Sequence, residues 1–212
     1  MKAAIYKGNQ TFSVENIPTP EPGPNQVLIK IRLSAICGTD VHAFMYDLAP
    51  EGAVLGHEFT GTIEKIGSNV TKLEVGDIVT GGGGFPPPGN EPPQKSHPRY
   101  NYRTMGFVST DTRGYAEYTL LPEWHPMKIP NGVSEQEAAM CEPTAVAVHA
   151  IRKSNLKLGD TAAIIGAGPI GLLTLQASIA AGASNVYISE PTLVRQNLAQ
   201  KLGASKTFSP FD

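Results

Sequence analysis

The sequence predicts a mixed α/β chain in two parts: a β-rich part over residues 1–152 and a C-terminal βαβαβ unit over residues 153–212. Three observations predict it. Residues 26–34 (Gln-Val-Leu-Ile-Lys-Ile-Arg-Leu-Ser) alternate, with Val27, Ile29, Ile31 and Leu33 on one face, and 59–66 alternate again. That is the pattern of half-buried antiparallel strands. Turn signals at Gly67-Ser68-Asn69 and Gly76-Asp77 keep these strands short, which suits a small barrel or sandwich. From residue 161 the pattern changes: Thr161-Ala162-Ala163-Ile164-Ile165 is a continuous apolar run, as in a strand buried on both faces of a parallel sheet, and a glycine-rich turn and a helical stretch follow at once.

The elements follow in order. Residues 2–7 and 11–17 read as strands; Pro18, Pro20, Pro22 and Pro24 then force an extended connection. The strand 26–34 leads to Cys37, and 39–46 reads as a short helix capped by Thr39 or Asp40. After 59–66 comes the strand 78–80. Residues 81–113, with four consecutive glycines and two proline clusters, leave little room for regular structure; this stretch is expected to be partly disordered or packed on a neighbouring subunit. Residues 114–120 return to strand pattern, and 124–130 close the β-rich part. Ser134 with Glu137 three residues later is a capping box that starts a helix near Glu135. Pro143 suits the first turn of the next helix. Beyond the apolar strand come a helix over 172–181, a strand over 185–189, a helix over 192–202 closed by Gly203, and a third strand starting at Lys206.

Composition narrows the function. A net charge of −2 with no basic stripe argues against nucleic acid as a partner. No apolar run reaches the ~20 residues that cross a bilayer. The N-terminus turns polar too soon for a signal peptide. Two cysteines, Cys37 and Cys141, make a disulfide framework unlikely and suit a reducing compartment, so the cytoplasm is the expected location.

The chemistry concentrates at Cys37-Gly38-Thr39-Asp40-Val41-His42 and Gly56-His57-Glu58. Thiolate, imidazole and carboxylate all suit Zn²⁺, and a catalytic zinc takes three protein ligands and keeps one position open. Cys37 and His57 are two of them. Glu142, in Met140-Cys141-Glu142-Pro143, is the preferred third, and Glu58 the alternative. One thiolate, one carboxylate and a neutral imidazole leave the ion's two charges balanced, so such a site can be buried. Taken singly, each residue has a plainer role: a lone Cys is usually a small buried hydrophobe, and Glu142 could serve only as a helix-start carboxylate.

These two motifs, intact, resemble those of the zinc-dependent medium-chain dehydrogenases, over almost the whole chain. Alcohol dehydrogenase itself has a Cys₂His site; here Glu142 stands in place of the second Cys, which resembles the sorbitol, threonine and butanediol dehydrogenase branch. The resemblance implies a GroES-like barrel over the N-terminal part. It implies one catalytic zinc and no structural zinc, since the four Cys the family often carries between residues 81 and 113 are missing. It further implies Thr39 and His42 as a proton relay that passes through the cofactor ribose. Asp40 reads as the carboxylate that fixes the tautomer of a ligating His. Secondary alcohols, diols or polyols are the implied substrates, and a homo-oligomer is implied for a full-length form.

The cofactor reading rests on Gly166-Ala167-Gly168-Pro169-Ile170-Gly171 between a buried strand and a helix, the context a Rossmann dinucleotide motif requires. Gly166 permits the turn, Gly168 the approach of a pyrophosphate, and Gly171 close helix–strand packing. The helix N-terminus, opened by Pro169 and Ile170, offers free N–H groups. Glu190 lies ~20 residues on, where a carboxylate binds ribose hydroxyls and repels a 2′-phosphate, so NAD is expected; Arg195 is the counter-signal. Only the first half of the dinucleotide fold is present, so a truncated chain is expected. A catalytically inactive zinc- and nucleotide-binding fragment is the alternative function.

Overall fold

The computed structural model describes residues 1–82 and 113–211. Its chain divides into two units, Met1–Glu142 and Pro143–Asp212. The expected mixed α/β architecture is present, with a β-rich first unit and a parallel sheet in the second. The stretch 81–113 falls almost wholly outside the described residues, so its expected disorder or packing lies outside them too.

In the first unit, β1 (Lys2–Tyr6) and β2 (Phe12–Asn16) form an antiparallel hairpin. Then come β3 (Gln26–Ala35), α1 (Gly38–Met45), β4 (Glu58–Ile66), β5 (Ile78–Gly82), β6 (Tyr118–Pro122) and β7 (Met127–Lys128). The last five strands make one antiparallel sheet in the order β6-β3-β4-β5-β7. A bridge between Ala3 and Ala116, with backbone bonds from Ala4 N to Tyr115 O and from Glu117 N to Lys2 O, ties the hairpin to the segment before β6.

The strict alternation expected over 26–34 holds only in part. Pairing of β3 with β4 slips between Leu28 and Ile29 and again between Ile31 and Leu33. Val27, Leu28 and Ile29 are consequently all buried, while Leu33 is exposed. Val27, Ile29, Phe59, Ile63, Leu73, Val79 and Leu121 form the core of this sheet; a large side chain so buried stabilises by about 1.5–3 kcal/mol. The two buried threonines of the inner strands are satisfied: Thr60 donates to Val79 O and Thr80 to Ala138 O. The second bond anchors α2 (Glu135–Ala139), which begins with the expected box, Ser134 Oγ accepting from Glu137 N and Glu137 returning to Ser134 N.

α3 (Cys141–Ser154) runs unbroken across the division of the chain. The expected boundary after residue 152 falls near its end. The chain divides into its two units in the first turn of this helix, between Glu142 and Pro143. That unit contains β8 (Thr161–Ile165), α4 (Pro169–Ala180), β9 (Asn185–Ser189), α5 (Leu193–Lys201) and β10 (Lys206–Phe208). The strands are parallel, in the order β10-β9-β8. Ala167, Leu175, Val186, Ile188 and Ala199 are its core. β8 differs from expectation: instead of burial on both faces, its residues alternate, with Thr161, Ala163 and Ile165 exposed. Helices α4 and α5 supply cover for one face only among the described residues.

Candidate metal centre and nucleotide turn

The metal motif begins as a helix cap. Cys37 has extended backbone angles and stands immediately before α1, with its Sγ accepting from Thr39 N at 3.5 Å. The Asp40 carboxylate returns to Cys37 N at 3.0 Å. The cap is therefore Cys37 rather than Thr39 or Asp40, because the helix starts at Gly38; Asp40 closes the box three residues on. Sheet register brings the second motif alongside. Ala35 pairs with Glu58 across β3 and β4, so the residues just beyond one strand meet the start of the other.

The result is a cluster. Cys37 Sγ, a His57 ring nitrogen and a Glu58 carboxylate oxygen all lie within 4.8 Å of one another. His57 and Glu58 are buried and Cys37 half-buried. A tetrahedral zinc with bonds of about 2.0–2.3 Å places its ligand atoms about 3.3–3.8 Å apart, so a small contraction closes the trio on an ion. Behind His57, Asp40 Oδ1 is 3.5 Å from His57 Nδ1. Asp40 Oδ2 accepts from Tyr115 Oη at 2.9 Å.

The electrostatics fit a cation. Burial works against a charged His57, yet the Asp40 carboxylate and the Cys37 sulfur outweigh it and raise its pKa to about 10. Burial also works against Asp40, but His57, Tyr115 and the Cys37 amide hold its carboxyl below the ordinary range. Glu142 is pushed up, by burial first and then by Glu58 and Asp40, with His57 opposing. Several acids thus converge on one base in a poorly hydrated place, a field that a divalent ion balances.

Cys37, His57 and Glu58 are brought together, with Asp40 Oδ1 3.5 Å from the imidazole Nδ1. Glu142 lies outside the trio, though within the same field. Thr39 is half-buried beside Cys37, and His42 is exposed, its ring 5.7 Å from that of Tyr46. Sequence reading missed Tyr115. Its neighbours in sequence mark it only as part of a strand, and its partner Asp40 is 75 residues away. Tyr115 also explains Gly56, whose φ is +96° and whose absent Cβ would lie 2.7 Å from the Tyr115 ring. Ala4, Phe12, Ile36, Val41, Phe44 and Tyr115, with Asp40, line an apolar cavity of about 380 Å³.

In the second unit, Gly166 has φ +94°, and a Cβ on Gly171 would lie 2.1 Å from Gly166 O. The close packing of turn against helix therefore demands glycine there. Around Gly168 there is open space, and Pro169 begins α4. Glu190 is buried at the end of β9. Its two carboxylate oxygens accept from Ala167 N at 2.8 Å and Thr192 N at 2.9 Å. These backbone bonds, foremost that of Ala167, hold its carboxyl below the usual range, and Arg195 adds to them. Glu190 thus clamps the glycine turn to the start of α5, a role the motif spacing alone did not disclose.

The chain has relatives among known proteins. A family model described as alcohol dehydrogenase GroES-like domain matches residues 23–131. The chain is similar to (R,R)-butanediol dehydrogenase of Bacillus subtilis (strain 168), 36% identical over 223 residues, covering 96% of this chain and 62% of that protein. It is also similar to sorbitol dehydrogenase of Homo sapiens, 35% identical over 208 residues, covering 94% and 58%. The X-ray crystal structure of 2R,3R-butanediol dehydrogenase from Bacillus subtilis matches with a TM-score of 0.85 and 33% identity, over 100% of this chain and 63% of that one. The chain spans about 60% of the length of the curated relatives it matches.

Proposed function

The chain belongs to the alcohol dehydrogenase GroES-like family, among the zinc-dependent medium-chain dehydrogenases, and on that premise we propose that it is a zinc-dependent oxidoreductase of secondary alcohols, diols or polyols, linked to NAD. The observation that carries this reading is the trio of half-buried Cys37 with buried His57 and Glu58, and Asp40 behind the imidazole. Cys37 and His57 hold the ion. Glu58 takes the third place on its proximity; Glu142, preferred from sequence, is the alternative ligand. A bound Zn²⁺ supplies Lewis-acid polarisation of a substrate oxygen.

The chain's own side chains do the rest. Asp40 orients His57 and fixes which ring nitrogen faces the ion. Thr39, next to the thiolate, would receive the substrate proton as it passes its own hydroxyl proton to the cofactor ribose, and exposed His42 would carry the proton on to solvent. Gly166, Gly168 and Gly171 let the backbone approach a pyrophosphate, with the α4 N-terminus at Pro169 and Ile170 facing it. Glu190 has lone pairs left for ribose hydroxyls after its two backbone bonds, and its charge disfavours a 2′-phosphate; Arg195 works the other way. Among the described residues no helix is long and apolar enough to cross a membrane. We place the protein in the cytoplasm, with a small-molecule alcohol as partner, no nucleic acid, and self-association in a full-length form.

A second reading has its own observation. Among the described residues the parallel sheet has three strands, and the second reading is zinc and nucleotide binding without turnover. Metal analysis together with NAD reduction over a panel of diols and polyols separates the two. Zinc at one per chain with turnover supports the first; zinc without turnover supports the second. Cys37→Ser should abolish stoichiometric zinc, and unchanged metal content in that variant overturns the site.

A further inference from the structure

Tyr115 is a polar side chain that touches the metal motif from outside both of its segments. Its Oη is 2.9 Å from Asp40 Oδ2 and 3.3 Å from Ala35 O. A phenol has one proton to give, and the nearer, charged acceptor takes it. Asp40 Oδ2 thus accepts from both Tyr115 Oη and Cys37 N, leaving Oδ1 toward His57 Nδ1 at 3.5 Å. Two bonds on one oxygen fix the plane of a carboxylate that is itself buried. The Tyr115 main chain is pinned as well, its N donating to Leu55 O and its O accepting from Ala4 N, both at 2.9 Å. The hydroxyl is therefore delivered from a turn whose main chain is held on both sides.

We propose that Tyr115 is a positioning residue of the metal centre, setting through Asp40 the orientation and donor strength of His57. The proposal rests on the zinc reading above. Without the hydroxyl, Asp40 keeps only the Cys37 amide on Oδ2, and the carboxylate is free to turn about that bond. His57 then loses a fixed partner, as a ligand does when its outer hydrogen bond is removed.

The test uses Tyr115→Phe, which keeps the ring and its packing and deletes one oxygen. Zinc affinity is read by chelator competition, and the ligand field by the visible spectrum of the Co²⁺-loaded chain. Removing a ligand's direct partner costs about 10–100-fold in affinity, so a residue acting one bond further out should cost about 3–10-fold. The Co²⁺ bands should shift, and both effects should vanish when Tyr115→Phe is made in an Asp40→Ala background. A structural residue would lower the melting temperature and leave the spectrum in place. Wild-type affinity and spectrum in the variant overturn the proposal alone, as does an undiminished effect in the Asp40→Ala background. A wild-type chain that takes up neither ion overturns the zinc reading, and this proposal with it.

Discussion

Gly56→Ala should damage the metal centre through its backbone. The residue sits at φ +96°, and a methyl group there meets the Tyr115 ring at 2.7 Å and the Tyr115 backbone nitrogen at 2.9 Å. Two costs are involved, and a second glycine separates them. Gly52 has φ +87° with nothing within 4 Å of its missing Cβ. Gly52→Ala therefore carries the backbone cost alone, about 1–2 kcal/mol. Gly56→Ala carries a similar cost plus overpacking, about 1–3 kcal/mol more. Rotating the ring gives no escape, since the contact includes main-chain nitrogen held on Leu55 O. A total of about 2–5 kcal/mol is a large share of the about 5–15 kcal/mol that holds a typical domain together. Urea unfolding of the wild type and both variants measures it, alongside zinc competition. Gly56→Ala should show the lower midpoint and the weaker zinc retention, because His57 follows it directly. Equal midpoints for the two variants would refute the argument that Tyr115 is what requires glycine at 56.

The remaining predictions concern other sites. Glu190→Gln keeps the shape of the side chain but turns an amide donor toward one of the backbone N–H groups and removes a charge. The ratio of NADP to NAD affinity should rise, and exchange of the Ala167 amide should quicken; an unchanged ratio in a nucleotide titration removes Glu190 from cofactor choice. Asp77 pairs with Lys128 at 2.5 Å and accepts from Glu74 N, and the Lys128 ammonium holds its carboxyl below the ordinary value. A depressed carboxyl contributes stability above the unfolded range, about pH 4, and loses it as pH falls through the lower folded value. Asp77→Asn should therefore flatten the acid limb of a plot of melting temperature against pH and leave the slope near neutrality unchanged. A limb as steep as that of the wild type would show the pair to be energetically idle.

The site was legible where its information is local. Cys37 and His57 stand out because each sits in a short run with metal-ligand spacing, and the fold makes Cys37 the cap of α1 and sets its sulfur within 4.8 Å of a His57 ring nitrogen. Asp40 was legible for the same reason. Tyr115 was not, because an aromatic after glycine in a strand looks like any core residue, and only the fold sets its hydroxyl against Asp40. The place of Glu58 likewise depends on register: pairing of Ala35 with Glu58 brings its carboxylate into the cluster with Cys37 and His57. In the fold, nearly every element was readable from alternation, caps and turns. The slips in β3 were not, since a bulge depends on the partner strand rather than on the alternation itself.

The strand that ends at Ile165 has a further consequence. β8 pairs with β9 on one side, and its other side carries no ladder among the described residues. Its sequence, Thr-Ala-Ala-Ile-Ile, contains no lysine, proline or acid, and Ile165 is 94% exposed. Natural sheets guard such margins with charge or cover. This one stands unguarded, so it is the position at which an additional strand would zip on, from the same polypeptide or from another molecule in concentrated solution.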